Sequence, residues 1–170
     1  ETLFERYPPE KLVLCVRDLR EVSLSAVELV ERMSLAFSGG GVLYAADFPN
    51  SSIHVIQNPG TGAIAETGTP TDNVGDVDGL QGVFGIAVSP DGANLYAAGS
   101  GEDAVAVFSI NPGTGALTFV EAKFEGFDGV TGLNAPETVA VSPDGRHVYA
   151  SGSALDSTVV FSRDSQTGKL

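Results

Sequence analysis

The chain has 170 residues, 42% of them hydrophobic, which is enough for one ordinary domain with a substantial core and too apolar for a disordered chain. Its formal net charge is −13, and residues 34–170 hold fifteen acidic side chains against four basic ones, so this stretch repels phosphate backbones and excludes nucleic-acid binding. No apolar run approaches the ~18 residues of a membrane span, and the single cysteine, Cys15, has no internal disulfide partner and reads as a small buried hydrophobe.

Residues 1–33 form a non-repeating N-terminal segment. Lys11–Val16 reads as a strand. Ser25-Ala26-Val27-Glu28 has the spacing of a capping box ahead of Leu29, Val30 and Met33, which predicts a short helix over about residues 24–33. An upstream domain's end, a divergent repeat and a sequence artefact all remain as its origin. The chain starts at Glu1 and stops at Thr167-Gly168-Lys169-Leu170, in the middle of a repeat, so both ends read as cuts in a longer protein.

From residue 34 onward the chain repeats itself. Ala87-Val88-Ser89-Pro90-Asp91-Gly92 returns 53 residues later as Ala140-Val141-Ser142-Pro143-Asp144-Gly145. The same offset relates Tyr96-Ala97 to Tyr149-Ala150, Val107-Phe108-Ser109 to Val160-Phe161-Ser162, and Thr114-Gly115 to Thr167-Gly168. An earlier, degenerate copy contains Leu43-Tyr44-Ala45-Ala46, Asn58-Pro59-Gly60-Thr61-Gly62-Ala63 and Gly79-Leu80, the last returning as Gly132-Leu133. Self-similarity of this kind marks a repeat architecture. The units run over about 34–83, 84–136 and a partial 137–170.

Within one unit four strands are predicted. Strand A covers about Phe84–Ser89 and ends at the Pro90-Asp91-Gly92 turn, where Pro fixes φ and Gly permits a positive one. Strand B covers Asn94–Ala98 and strand C Ala104–Ile110. The turn Asn111-Pro112-Gly113-Thr114-Gly115 leads into strand D, Ala116–Ala122, and a longer loop, Lys123–Ala135, reaches the next strand A. Four short antiparallel strands per unit make the blade of a β-propeller. The fold class expected is therefore all-β: about two and a half four-stranded blades behind a short mixed N-terminal segment. So few blades cannot close into a ring, so an open arc with exposed apolar faces, prone to associate, is expected.

Ala140-Val141-Ser142-Pro143-Asp144-Gly145-Arg146-His147-Val148-Tyr149-Ala150-Ser151, then Val160-Phe161-Ser162-Arg163-Asp164 and Thr167-Gly168-Lys169-Leu170, carry a resemblance to the lactonase-type seven-bladed propellers with YVTN repeats. Asp128-Gly129-Val130-Thr131-Gly132-Leu133 is similar to linkers of its long bacterial members. The resemblance implies a ligand site on the face shared by B–C and D–A loops. It also implies that the missing partners of these repeats are the remaining blades of the same propeller. The family includes phosphogluconolactonases and propellers without demonstrated chemistry, and no catalytic motif of the enzymes is matched here.

Sorted by face, the charges segregate. The D–A loops carry Asp72, Asp76, Asp78, Glu125 and Asp128, and the B–C loops Asp47, Glu102, Asp103 and Asp156, with only Lys123 to offset them. Asp76, Asp78, Glu102, Asp103 and Asp128 are the candidate binding residues, on the side opposite Asp91, Asp144 and Arg146. The bland alternative, solubilising charge on exposed loops, carries more weight. Asp76-Val77-Asp78-Gly79 fails as an EF-hand loop, because placing Gly79 at the glycine position puts Val74 first and Gly85 last. No cofactor is expected, beyond weak, salt-sensitive binding of divalent cations. His54 is expected at a blade interface with its needs satisfied, and His147 in solvent after an A–B turn. Ser89 and Ser142 are expected to bond their local turn backbone.

Two functions compete. One is a non-catalytic repeat segment that presents acidic loops to an unknown ligand or protein, within a larger bacterial protein that is extracellular or periplasmic rather than cytoplasmic. The other is a fragment of an enzyme hydrolysing a sugar lactone, whose phosphorylated form would need cationic side chains that this loop face lacks.

Overall fold

A computed structural model describes residues 35–38, 42–57 and 65–170. The strand and helix expected within residues 1–33 lie outside the described residues.

The described chain forms three antiparallel sheets in sequence order. The first contains β1 (Leu35–Ser38), β2 (Val42–Asp47), β3 (Ser52–Gln57) and β4 (Ala65–Gly68). The second contains β5 (Val83–Val88), β6 (Asn94–Gly99), β7 (Ala104–Ile110) and β8 (Leu117–Phe124). The third contains β9 (Val139–Val141), β10 (His147–Gly152) and β11 (Ser157–Ser162). Each sheet is a simple meander, with every strand paired to its neighbour in sequence. The all-β propeller-blade reading holds, and a single 3-10 turn at Ser153–Leu155 is the only helical element among the described residues.

The turn chemistry sets the meander. Gly92 and Gly145 sit at φ of +70° and +71°, the left-handed region that glycine enters without strain. In both Ser-Pro-Asp-Gly turns the serine hydroxyl donates to the aspartate, Ser89 Oγ to Asp91 Oδ1 at 2.5 Å and Ser142 Oγ to Asp144 Oδ1 at 2.6 Å. These serines bond their own turns, as the sequence indicates.

Alternation along each strand then builds two cores. In β6, Leu95 and Ala97 point to the first sheet, where they join Val42, Tyr44, Ile53, Val55 and Phe108. Tyr96 and Ala98 point to the third, where they join Val105, Val107, Val148, Ala150 and Phe161. The second sheet thus buries both faces, which is why its strands read as continuous apolar runs. The inner strands converge: β5 touches β1 and β2 on one side and β9 on the other.

The sheet interfaces repeat as the sequence does. Tyr44 Oη donates to the carbonyl of Gly115 at 2.9 Å, and Tyr96 Oη to that of Gly168 at 2.8 Å, so a B-strand tyrosine grips the next blade's C–D turn each time. The second interface adds a group that the first lacks. Arg163, 7% exposed, donates Nε to Tyr96 Oη at 2.7 Å, Nη1 to the Gly145 carbonyl at 2.9 Å, and Nη2 to Asp91 at 2.8 Å and Asn94 at 2.7 Å.

Candidate functional site

In an antiparallel meander alternate connections share an end. The β2–β3, β6–β7 and β10–β11 turns therefore meet the β4–β5 and β8–β9 loops. Contacts bind this end together: the Gly82 amide donates to Ser51 Oγ at 3.0 Å, Ser100 Oγ to the Gly82 carbonyl at 2.8 Å, and the Ala135 amide to Asp103 Oδ1 at 2.7 Å. Asp91, Asp144 and Arg146 belong to the A–B turns of the opposite end, where Arg163 anchors.

The candidate acidic residues fare differently. Asp78 and Glu102 come together with Asp72, one carboxylate oxygen of each lying within 4.8 Å of the others. Asp76 lies exposed outside that group, and Asp128 is exposed at a left-handed loop position, φ +51°. Asp103 is held by backbone: its carboxylate accepts the Ala135 amide, and its carbonyl accepts that of Glu125 at 2.9 Å. The sequence pairs Asp78 with Asp76; the fold pairs it with Asp72 and Glu102, because the loop closes through the Leu80 amide, which donates to Asp72 at 3.0 Å.

Carboxylate oxygens are the donors a hard divalent cation takes. These three also repel one another. Burial pushes the Glu102 carboxyl above its ordinary value, with Asp72 and Asp78 adding to the rise, against the Gln81 and Gly79 amides that oppose it. A raised carboxyl is disfavoured when ionised in the folded protein, so its penalty is absent below the ordinary value near 4.5 and complete above the raised one. Glu102→Gln is accordingly expected to stabilise the protein at pH 7 by a few tenths to about 1 kcal/mol. The gain should fade as pH drops toward 4.5. Melting curves of the two proteins across that range check this, and a gain that persists unchanged in acid would overturn it.

His54 is fixed inside its own sheet. Its Nδ1 meets Glu66 Oε1 at 2.5 Å and its Nε2 meets Asp47 Oδ2 at 3.2 Å. Asp47 is 5% exposed and also accepts from Asn50 Nδ2 at 2.7 Å. The Thr69 hydroxyl donates to Glu66, and it and the His54 ring together hold that carboxyl low against the opposing effect of burial. Both ring nitrogens face carboxylates, so the histidine is satisfied, by neighbours on β2 and β4 rather than across a blade interface. His147 is half-buried on β10 beside Tyr149, not in open solvent.

The same end carries apolar groups that the charge count passes over. Phe48, Val74, Phe84 and Phe127 are all exposed large hydrophobics, and Phe48 and Phe84 meet edge to face with centroids 6.2 Å apart. The available signal is the repeat itself: Ser100 and Glu137 occupy the register positions of Phe48 and Phe84 in the following copies.

Residues 33–170 match the family described as lactonase, seven-bladed β-propeller. The chain is 32% identical over 126 residues to the 6-phosphogluconolactonase of Bacillus subtilis, covering 73% of this chain and 34% of that protein. It is 38% identical over 87 residues to the 6-phosphogluconolactonase of Formosa agariphila, covering 50% of this chain and 23% of that one. Among solved structures, the Pseudomonas aeruginosa periplasmic gluconolactonase superposes with a TM-score of 0.65 at 27% identity, over 79% of this chain and 36% of that one. The chain thus spans about a third or less of the relatives it matches. These relatives overturn the expectation of a non-catalytic segment presenting acidic loops, and they back the lactonase alternative. The lack of a catalytic cluster in two and a half repeats is poor evidence against chemistry, because a propeller assembles its site from loops of several blades.

Proposed function

The chain belongs to the lactonase family of seven-bladed β-propellers, and on that premise we propose that it is part of an enzyme that hydrolyses a sugar lactone. The observation that carries this reading is its identity to two 6-phosphogluconolactonases, at 32% and 38%. In the reaction water adds to the lactone carbonyl carbon, the ring C–O bond breaks, and an aldonic acid forms. A carboxylate that takes the proton from water and returns it to the departing ring oxygen balances the step. Glu102, whose carboxylate lies beside those of Asp72 and Asp78 at the loop end, is the candidate for that base, because burial and these two neighbours raise its affinity for a proton.

No cofactor is needed for this hydrolysis, and any divalent binding at Asp72, Asp78 and Glu102 is weak and salt-sensitive. The remaining blades of the ring are the partners of the third sheet, whose outward residues Tyr149 and Val160 are 38% and 55% exposed. A periplasmic site of action is supported by the name of the Pseudomonas neighbour. No helix among the described residues is long and apolar enough to cross a membrane.

The test is proton release by the whole protein carrying this chain, with D-glucono-1,5-lactone and its 6-phosphate, read above spontaneous hydrolysis. Acceleration is expected, with kcat/KM reduced on the order of a hundredfold by Glu102→Gln. A protein that accelerates neither lactone is not this enzyme. Equal rates with Glu102→Gln would assign the base elsewhere.

A further inference from the structure

Of the six large apolar side chains exposed among the described residues, four lie at the loop end: Phe48, Val74, Phe84 and Phe127. Phe84 is there for a structural reason. Val83 pairs with Gly99 and Ile86 with Ala97, so Phe84 and Gly85 together oppose the single Ala98. This is a β-bulge, the device by which a strand re-aims one side chain. Val83 and Ile86 both enter the core against the first sheet. A Cβ on Gly85 would stand 2.6 Å from the Glu137 carbonyl, so Gly85 faces the third sheet. Phe84 is the residue displaced, and it is left 42% exposed at the start of the innermost strand of its sheet.

Its partner is held as firmly. Phe48 comes from the β2–β3 turn of the first sheet, and its ring stands at 84° to that of Phe84. A Cβ on Gly82 would lie 3.4 Å from Phe48 Cε2, so the ring lies close over that glycine. Gly82 is itself pinned through its amide to Ser51 and through its carbonyl to Ser100. The two residues before it reach the carboxylates: the Leu80 amide donates to Asp72 and the Gln81 amide to Glu102, the latter at 3.5 Å. Two exposed rings and a group of acceptors thus gather around the Leu80-Gln81-Gly82 segment, across two blades.

This combination suits a ring with an apolar C–H face and hydroxyls around its rim. The face lies on a phenyl and the hydroxyls donate to carboxylates. It does not suit a phosphate. No Lys or Arg stands in the described loops at this end; Lys123, near the end of β8, has its Nζ 3.4 Å from Glu121. Arg146, Arg163 and Lys169 belong to the opposite end.

We propose that Phe48 and Phe84 form a stacking platform for the sugar ring of an unphosphorylated aldonolactone, with Glu102 accepting from its hydroxyls. The inference rests on the lactonase reading and goes further, naming where the ring sits and which form of the substrate is preferred.

The chain lacks tryptophan, so Phe48→Trp places a reporter at the platform where this chain has none. Titration with methyl β-D-glucopyranoside should shift its emission saturably, with a midpoint on the order of millimolar. D-glucose 6-phosphate should bind about tenfold more weakly, glycerol should give no saturation, and Phe84→Ala should abolish the response. Tighter binding of the phosphate, a response that survives Phe84→Ala, or no saturation with the glucoside overturns the platform. Saturation-transfer NMR on the unsubstituted protein, irradiating aromatic protons, guards against a Trp that disturbs the loop: transfer to the glucoside ring protons supports the platform, and its absence overturns it. The enzyme reading is separated by kinetics. Gluconolactone hydrolysis at unchanged KM in a Phe48→Ala, Phe84→Ala protein sinks the platform alone, whereas sugar binding without hydrolysis sinks the lactonase reading alone.

Discussion

Arg163→Ala is expected to destabilise the protein by about 3 kcal/mol, more than any other change to a polar side chain in the described residues. The guanidinium is almost fully buried between the second and third sheets, and its donors reach four acceptors on both of them. Removing it strands the buried Asn94 amide oxygen and leaves a cavity, while Asp91, 44% exposed, recovers part of its hydration. Arg163→Lys should rescue little, because a single ammonium cannot span the fork of acceptors. Equilibrium urea unfolding checks both, and a loss below about 1 kcal/mol for the alanine variant would show the guanidinium to be a passive filler.

The same contact sets an acid dependence. Burial pushes the Asp91 carboxyl up, but Ser89, the Ala93 amide and Arg163 together outweigh burial and bring it below the ordinary 3.8. A lowered carboxylate contributes stability above its unfolded value and loses it as pH falls through the folded one. Asp91→Asn should therefore destabilise at neutral pH and become indistinguishable from the unsubstituted protein in strong acid.

Arg163 also marks the limit of what the sequence shows. The 53-residue offset exposes the strands, their order and the faces they bury, because those follow from alternation and turn chemistry that each copy repeats. Strand C, Ala104–Ile110, is read to the residue, and Asn94–Gly99 to within one. What the repeat hides is whatever one copy does alone. Arg163 stands where the preceding copy has Ile110, and nothing local in sequence shows that three of its four acceptors lie 67 to 72 residues back. Phe84 stands where the next copy has Glu137, and the bulge that exposes it appears only once β5 and β6 are paired. His54 illustrates the same limit: its strand and core-like setting follow from alignment, but Asp47 and Glu66 become its partners only through the β2–β3 and β3–β4 registers. Charge sorting gathers the acidic loops on one end, yet it cannot separate Asp103, held by backbone amides, from Asp78 and Glu102, which face Asp72.

Gly99→Ala and Gly152→Ala are expected to cost at least about 3 kcal/mol each, although each adds only a methyl group. The two glycines end the B strands of consecutive blades, 53 residues apart, and each packs against the backbone of the loop that precedes strand A of its own sheet. A Cβ on Gly99 would fall onto the Gly79 carbonyl oxygen, with the carbonyl carbon 3.0 Å away; one on Gly152 would fall onto that of Gly132, with the carbon 3.1 Å away. The neighbour in each case is backbone, so no rotamer change relieves the clash. Nor can the loop withdraw. Gly79 and Gly132 hold left-handed φ values of +79° and +94°, and the leucines after them, Leu80 and Leu133, are fully buried in the two cores. The recurrence of Gly79-Leu80 as Gly132-Leu133 thus has a steric cause: two glycines must touch for the leucine to reach the core. Gly68→Ala is the control, since its Cβ meets nothing within 4 Å and its backbone needs no positive φ, and it should change stability by no more than about 0.5 kcal/mol. If chemical denaturation finds Gly99→Ala as mild as Gly68→Ala, the close glycine–glycine approach is not what holds the loop end of each blade against its sheet.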